Sequence, residues 1–218
     1  MKVFISDAMS EEGIEYLRQQ PGLEVVYRPG LSPDDLKKEL SDAVGLIVRS
    51  KTRVTKELIE AAPELRVIGR AGAGVDNIDL ESATRRGIVV MNTPGGNSIS
   101  AAEHAFALML SVARKIPFAH ASMVAGEWNK SKFTGVELNG KTLGILGLGK
   151  IGSIVARRSQ SFNMKVLAFD PFVSESYASD LGVSLCDLDE VLGSSDLVSI
   201  HLPLNDQTRQ NINGENLA

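Results

Sequence analysis

The sequence has little of several features that would narrow its function at once. Cysteine occurs once, at Cys186, so no intrachain disulfide can form. With no motif around it, that thiol is expected to be buried and structural rather than reactive. Histidine occurs three times, and no His/Cys cluster has ligand spacing, so no metal is expected. Aromatic residues are 5% of the 218, and no apolar run approaches the length of a membrane span. Lys+Arg of 23 against Asp+Glu of 27 gives a net charge of −4, with no basic patch suited to nucleic acid or a membrane surface. A nucleophile elbow is also missing. Lys2-Val3-Phe4-Ile5 reads directly as a strand, without the progression of a signal peptide, and the expected compartment is the cytoplasm.

What is present is alternation. Residues 1–94 pair apolar strand candidates, at roughly 2–6, 23–27, 45–49, 66–70 and 88–91, with helical patterns opening near Ser10, Ser32, Thr55 and Asp79. Each of these four is a good N-cap residue. Ser32-Pro33-Asp34-Asp35 combines a cap, a proline at the first helical position and acids in the first turn. Such alternation predicts a parallel sheet covered by helices. Thr93-Pro94-Gly95-Gly96-Asn97 is a breaker cluster and the best candidate boundary, giving domains of 1–97 and 98–218. An apolar helix is expected at about 98–115, ended or kinked by Pro117, with a second helix to about Ala125. Alternation then resumes, with strands near 142–147, 165–169, 183–185 and 196–201, a helix opened by Asp187, and the start of another helix after Asn213.

Two clusters carry chemistry. Gly147-Leu148-Gly149-Lys150-Ile151-Gly152 follows the apolar run Thr142–Leu146 and opens a helical pattern. A second strand-like run ends on Asp170, eighteen residues after Gly152. Strand, glycine turn, helix and strand-end carboxylate together form the dinucleotide-binding fingerprint. Gly147 permits the tight turn, Gly149 lets the backbone approach a pyrophosphate, and Gly152 lets the helix pack on the strand. Helix-start amides then face the anion with the positive end of the dipole. Asp170 suits ribose hydroxyls and repels a 2′-phosphate, and no arginine follows in Pro171-Phe172-Val173, so NAD is favoured over NADP. The alternative for Asp170 is a solvated turn aspartate.

The other cluster is Arg70-Ala71-Gly72-Ala73-Gly74-Val75-Asp76-Asn77, after the fourth strand. It is either an anion-binding loop or a plain tight turn, and the residues alone weigh these evenly. Arg49, ending the third strand as Arg70 ends the fourth, adds a second guanidinium suited to carboxylate or phosphate, against the alternative of pairing with local acids. His104 falls in the apolar helix, where a packed or interface role is the default. His120 has no partner signal. His201, ending the last strand, is placed to line a nucleotide pocket.

Val48-Arg49-Ser50, the loop from Gly69 to Asp79, Asn92-Thr93-Pro94 with Gly96-Asn97-Ser98, Leu138–Gly144 running into the glycine motif, and His201-Leu202-Pro203-Leu204 together resemble the D-2-hydroxyacid dehydrogenase family. The resemblance spans essentially the whole chain, and it is strongest to members that oxidise 3-phosphoglycerate to 3-phosphohydroxypyruvate with NAD. It implies an α/β chain, with a flavodoxin-like parallel-sheet substrate domain followed by a truncated Rossmann dinucleotide-binding domain. It implies Arg49, Ser50, Arg70 and Asn97 as holders of the substrate's phosphate and carboxylate, helped by the amides of Ala73 and Gly74. Lys150, Ile151, Asp170, His201 and Pro203, with the three glycines, would line the NAD pocket. The helix from Ser98 is similar to the family's dimerisation segment, so a homodimer or homotetramer is expected. The family's catalytic arginine, glutamate and histidine would fall after Ala218, so no catalytic residue is expected within the chain. Another 2-hydroxy acid as substrate, a dinucleotide-sensing corepressor on the same scaffold, and a methyltransferase using the glycine loop for a different nucleotide are the competing expectations.

Overall fold

The computed structural model describes residues 1–205 and 207–216. The chain divides into two compact units, Met1–Asn97 and Ser98–Ala218, each built on its own parallel sheet.

In the first unit, strands β1 (Lys2–Ile5), β2 (Glu24–Tyr27), β3 (Gly45–Val48), β4 (Val67–Arg70) and β5 (Val89–Asn92) lie in the order β2-β1-β3-β4-β5. Parallel neighbours cannot be joined by tight hairpins, so each connection carries a helix. These are α1 (Glu11–Arg18), α2 (Pro33–Glu39), α3 (Lys56–Glu60) and α4 (Leu80–Arg85). Three of the four helix starts are closed by the expected side chain. Ser32 accepts the amide of Asp35, Thr55 that of Leu58, and Asp79 that of Ser82. Ser10 precedes α1 but makes no such bond. One sheet face packs against α2, α3 and α4, where Phe4, Leu46, Val48 and Ile68 meet Leu36, Leu58, Ile59 and Ala83. Each of the Phe, Leu, Ile and Val side chains buried this fully contributes about 1.5–3 kcal/mol. The chain runs from β1 outward to β2 and then back past β1 to β3, which puts the sheet's switch point between β1 and β3.

The second unit opens with α5 (Ser98–Ala113) and α6 (Ile116–Val124). The break between them falls at Lys115, in the left-handed region at φ 53°, and Pro117 lies in the first turn of α6 instead of ending α5. A short 3-10 turn, Lys130–Phe133, precedes the sheet elements β6 (Thr142–Leu146), α7 (Lys150–Gln160), β7 (Lys165–Phe169), α8 (Glu175–Asp180), β8 (Ser184–Leu185), α9 (Leu188–Ser194) and β9 (Leu197–Ile200). Strand order is β8-β7-β6-β9, all parallel, with the switch point between β6 and β9. Ala102 and Phe106 of α5, Leu143 and Ile145 of β6, Val155 of α7 and Val166 of β7 share one core. Residues 214–216, where the sequence suggests a new helix, form a turn, and 217 and 218 lie outside the described residues. Among the described residues no helix is long and apolar enough to cross a membrane.

Candidate functional site

In the first unit the carboxyl ends of β3, β4 and β5 are in register, Val48 beside Arg70 and Arg70 beside Asn92. Parallel pairing therefore sets the loops after these strands side by side, at the edge where open α/β sheets bind ligands. Sequence reasoning ends the third strand on Arg49. The strand ends at Val48 instead, because the Arg49 amide leaves the ladder for the Asp7 carboxylate, 2.6 Å away. Arg49 and Ser50 are exposed. The Arg49 guanidinium donates to the Ala8 carbonyl at 3.1 Å and is otherwise uncommitted among the described residues.

Arg70 is half-buried and lies back over its own loop. The guanidinium lies over Gly72, in space that a side chain at that position would take from it. Arg70 Nε is buried without a partner among the described residues. Neither Arg49 nor Arg70 forms an ion pair among the described residues, contrary to the usual fate of a surface arginine. The loop is anchored through its carbonyls: Gly72 accepts from the Thr93 amide at 3.0 Å and Ala73 from the Asn92 side chain at 2.6 Å. The amides of Ala73 and Gly74 are left unpaired among the described residues. Two guanidiniums without carboxylate partners and two free amides on one sheet edge can hold an anion. Asn97 is exposed in the turn after β5.

Three neighbouring features escaped the sequence. Asp7, at the end of β1, is only 4% exposed and forms no ion pair among the described residues. Burial pushes its pKa up, but hydrogen bonds from the Thr52 hydroxyl and from the amides of Thr52, Arg49 and Lys51 outweigh that and hold it below 3.8. Asn77 reaches across to the carbonyls of Arg49 and Thr52. A cleft of about 720 Å³ opens beside the same loops, with Asp7, Lys51, Thr52 and Arg53 in its wall.

In the second unit, Gly147 follows β6 with φ 94°, a left-handed value that a side chain would strain. Its own Cβ would also meet the His201 carbonyl at 2.9 Å. Gly152 packs so tightly that a Cβ there would lie 2.1 Å from the Gly147 oxygen, whereas Gly149 has nothing within 4 Å. Gly149 is the N-cap of α7 and brings no side chain to the first-turn amides. The loop thus offers an open face and the positive end of an eleven-residue helix, as an anionic pyrophosphate requires. Lys150 is exposed, and Ile151 half-buried, at the start of the same helix.

Asp170 is less idle than a solvated turn aspartate. One oxygen accepts the Leu148 amide of the glycine loop at 2.8 Å, the other the Phe172 amide at 2.9 Å. A carboxylate offers roughly four acceptor positions, so ribose hydroxyls can still be taken. His201 donates its amide to Leu146 at 2.7 Å, and its ring lies 2.9 Å from the Ser199 hydroxyl. Burial lowers its pKa and keeps the ring neutral near pH 7. Pro203 is exposed beyond it. His104 and His120 are exposed on α5 and α6, which corrects the packed reading of His104. Cys186 is half-buried, not fully buried; desolvation, then Glu190, raises its pKa, so it stays a thiol. Gly135–Thr142 also spells a phosphate-loop pattern, G-x-x-x-x-G-K-T. It precedes a strand instead of opening a helix, and Lys141 is paired with Asp196 at 2.8 Å, so it is no phosphate loop.

Residues 3–214 match the sequence profile of the D-isomer specific 2-hydroxyacid dehydrogenase catalytic domain. The chain is 51% identical over 208 residues to a D-3-phosphoglycerate dehydrogenase of Archaeoglobus fulgidus, covering 95% of this chain and 39% of that protein. It is 50% identical over 217 residues to the Homo sapiens protein of the same name, covering 100% of this chain and 40% of the relative. The chain therefore spans about two fifths of the length of these curated relatives. Among solved structures, the D-lactate dehydrogenase of Aquifex aeolicus complexed with NAD and lactic acid superposes with a TM-score of 0.85 at 30% identity, over 99% of this chain and 65% of that one. A glyoxylate reductase from Paecilomyes thermophila gives a TM-score of 0.86 at 29% identity, over 97% and 67%. The chain belongs to the D-isomer specific 2-hydroxyacid dehydrogenase family.

Proposed function

We propose that this chain carries the substrate- and coenzyme-binding parts of an NAD-dependent dehydrogenase that oxidises 3-phosphoglycerate to 3-phosphohydroxypyruvate, at the entry to serine biosynthesis. The observation that carries the reading is the pair Arg49 and Arg70, without carboxylate partners, beside the free amides of Ala73 and Gly74. A substrate with a carboxylate and a phosphate needs more cationic and amide donors than a plain hydroxy acid does. The half-identity to proteins named D-3-phosphoglycerate dehydrogenase supports the same choice.

In this reading residues 1–97 form the substrate domain, where Arg49, Ser50, Arg70 and Asn97 hold the two anionic ends. Residues 98–218 form the NAD domain. Gly147, Gly149, Lys150, Ile151 and Gly152 surround the pyrophosphate, Asp170 takes the ribose hydroxyls, and His201 and Pro203 line the pocket. The open face at Gly149 and the acceptor capacity left on Asp170 fit that coenzyme. NAD, when bound, accepts the hydride from the carbon bearing the substrate hydroxyl. The protein's own part here is orientation and charge: guanidiniums and amides fix the substrate, and Asp170 selects against a 2′-phosphate. We place the protein in the cytoplasm as a homodimer or homotetramer.

Replacing Arg49 or Arg70 by alanine in the complete gene product removes a charge-assisted hydrogen bond, about 1.5–3 kcal/mol, and is expected to raise KM for 3-phosphoglycerate roughly tenfold or more. An unchanged KM in both variants contradicts the assignment.

A further inference from the structure

The turn that carries Arg49 and Ser50 is exposed, yet its backbone is gripped at both ends. Asp7 Oδ2 accepts the Arg49 amide at 2.6 Å and the Thr52 amide at 3.2 Å, while Oδ1 accepts the Thr52 hydroxyl at 2.7 Å. On the other side Asn77 Nδ2 donates to the Arg49 carbonyl at 2.8 Å and to the Thr52 carbonyl at 2.7 Å. Both peptide groups of the two residues flanking Ser50-Lys51 are therefore captured, by side chains from two other loops.

We propose that Asp7 is a positioning residue for substrate binding, clamping the 49–52 turn together with Thr52 and Asn77 so that Arg49 and Ser50 are presented in one fixed geometry. The proposal rests on the assignment of Arg49 to the substrate. A buried carboxylate under a turn that must hold an anion is electrostatically adverse, so its presence there calls for a compensating role. A neutral amide fills that role only in part. The Arg49 and Thr52 amides share Oδ2, which an asparagine oxygen could replace. Its NH2 group, however, would face the Thr52 hydroxyl, which would have to turn and accept instead of donating, and the charge that strengthens all of these bonds would be lost. Asn77 uses both of its Nδ2 hydrogens on the clamp, and its buried Oδ1 has no partner among the described residues. Fixing the backbone in advance lowers the ordering cost that a mobile arginine would incur on binding.

The test is a double-mutant cycle on the complete gene product, with KM for 3-phosphoglycerate, kcat and NADH affinity measured for wild type, Asp7→Asn, Arg49→Ala and the double variant. Asp7→Asn is expected to raise KM about five- to tenfold, with kcat changed less than about twofold and NADH affinity unchanged. In the Arg49→Ala background the same substitution is expected to add less than about twofold, because no guanidinium remains to be positioned. Equal fold-losses in both backgrounds overturn the proposal, since a general loss of structure adds independently. Thr52→Val, which removes the hydroxyl that donates to Asp7 and accepts from Ser6, covers the case in which Asp7→Asn fails to fold; it too raises KM, and Thr52→Ser, which keeps both bonds, restores it. If Arg49→Ala raises KM but Asp7→Asn and Thr52→Val do not, the positioning role is wrong and the substrate assignment stands. If Arg49→Ala itself leaves KM unchanged, the substrate assignment fails first.

Discussion

Asp170 holds two backbone amides before any coenzyme arrives, one of them in the glycine loop itself. Asp170→Ala therefore removes the proposed ribose acceptor and loosens Leu148 together. NADH affinity is expected to fall about tenfold or more, from a loss of roughly 1.5–3 kcal/mol, with a smaller change in thermal stability. Calorimetric titration with NADH and NADPH checks this, and equal NADH affinity in the variant contradicts the role. Asp7 makes a prediction about pH. Its folded pKa is depressed, so its contribution to stability is complete above the unfolded carboxylate value and is lost as pH falls through the folded one. The difference in Tm between wild type and Asp7→Asn is expected to be largest near neutrality and to shrink below about pH 4. A difference that is constant down to pH 2.5 contradicts a charged Asp7 clamp. At this scale legibility in the sequence divided sharply. The glycines and Asp170 follow a local spacing and can be read from it. The bond from Asp7 to Arg49 joins residues 42 apart, brought together only by the pairing of β1 with β3, and no local pattern announces it.

Helix starts were legible because a cap is a local, three-residue device. Ser32, Thr55, Asp79 and Asp187 each accept an amide three residues on. Ser10 has the right type and position but makes no cap bond, since residue type favours a rotamer without compelling it. Ser32→Ala is accordingly expected to cost about 1 kcal/mol and lower Tm by a few degrees, whereas Ser10→Ala leaves it nearly unchanged. Thermal melts of the two variants decide, and equal losses contradict the cap assignment. Strands were legible to within about a residue, because fully buried parallel strands are short apolar runs bounded by turns. The misplaced end of β3 shows the limit. Arg49 sits where alternation predicts strand, and a side chain from another loop takes its amide out of the ladder.

At the scale of the whole molecule, α5, α6 and the segment after them carry several exposed large apolar side chains, Val112, Phe118, Val124 and Trp128 each being at least 68% exposed. Large apolar side chains clustered in this way mark association surfaces, in keeping with the proposed homodimer. Phe118→Asp with Val112→Asp is expected to convert the protein to monomers in sedimentation velocity, and an unchanged oligomer contradicts the use of this face. Both sheets place their candidate residues at carboxyl ends, the edge that strand direction alone would suggest for ligand-binding loops; in the first unit only Asp7 and Arg49 adjoin the switch point. Which anion the first unit holds is a question of chemistry. The most direct measurement is NAD-dependent turnover by the complete gene product of 3-phosphoglycerate against D-lactate and D-glycerate. A kcat/KM for 3-phosphoglycerate at least about tenfold above both is expected from the added phosphate contacts. Equal or greater activity on either unphosphorylated acid would contradict the reading of Arg49 and Arg70 as the phosphate and carboxylate clamp.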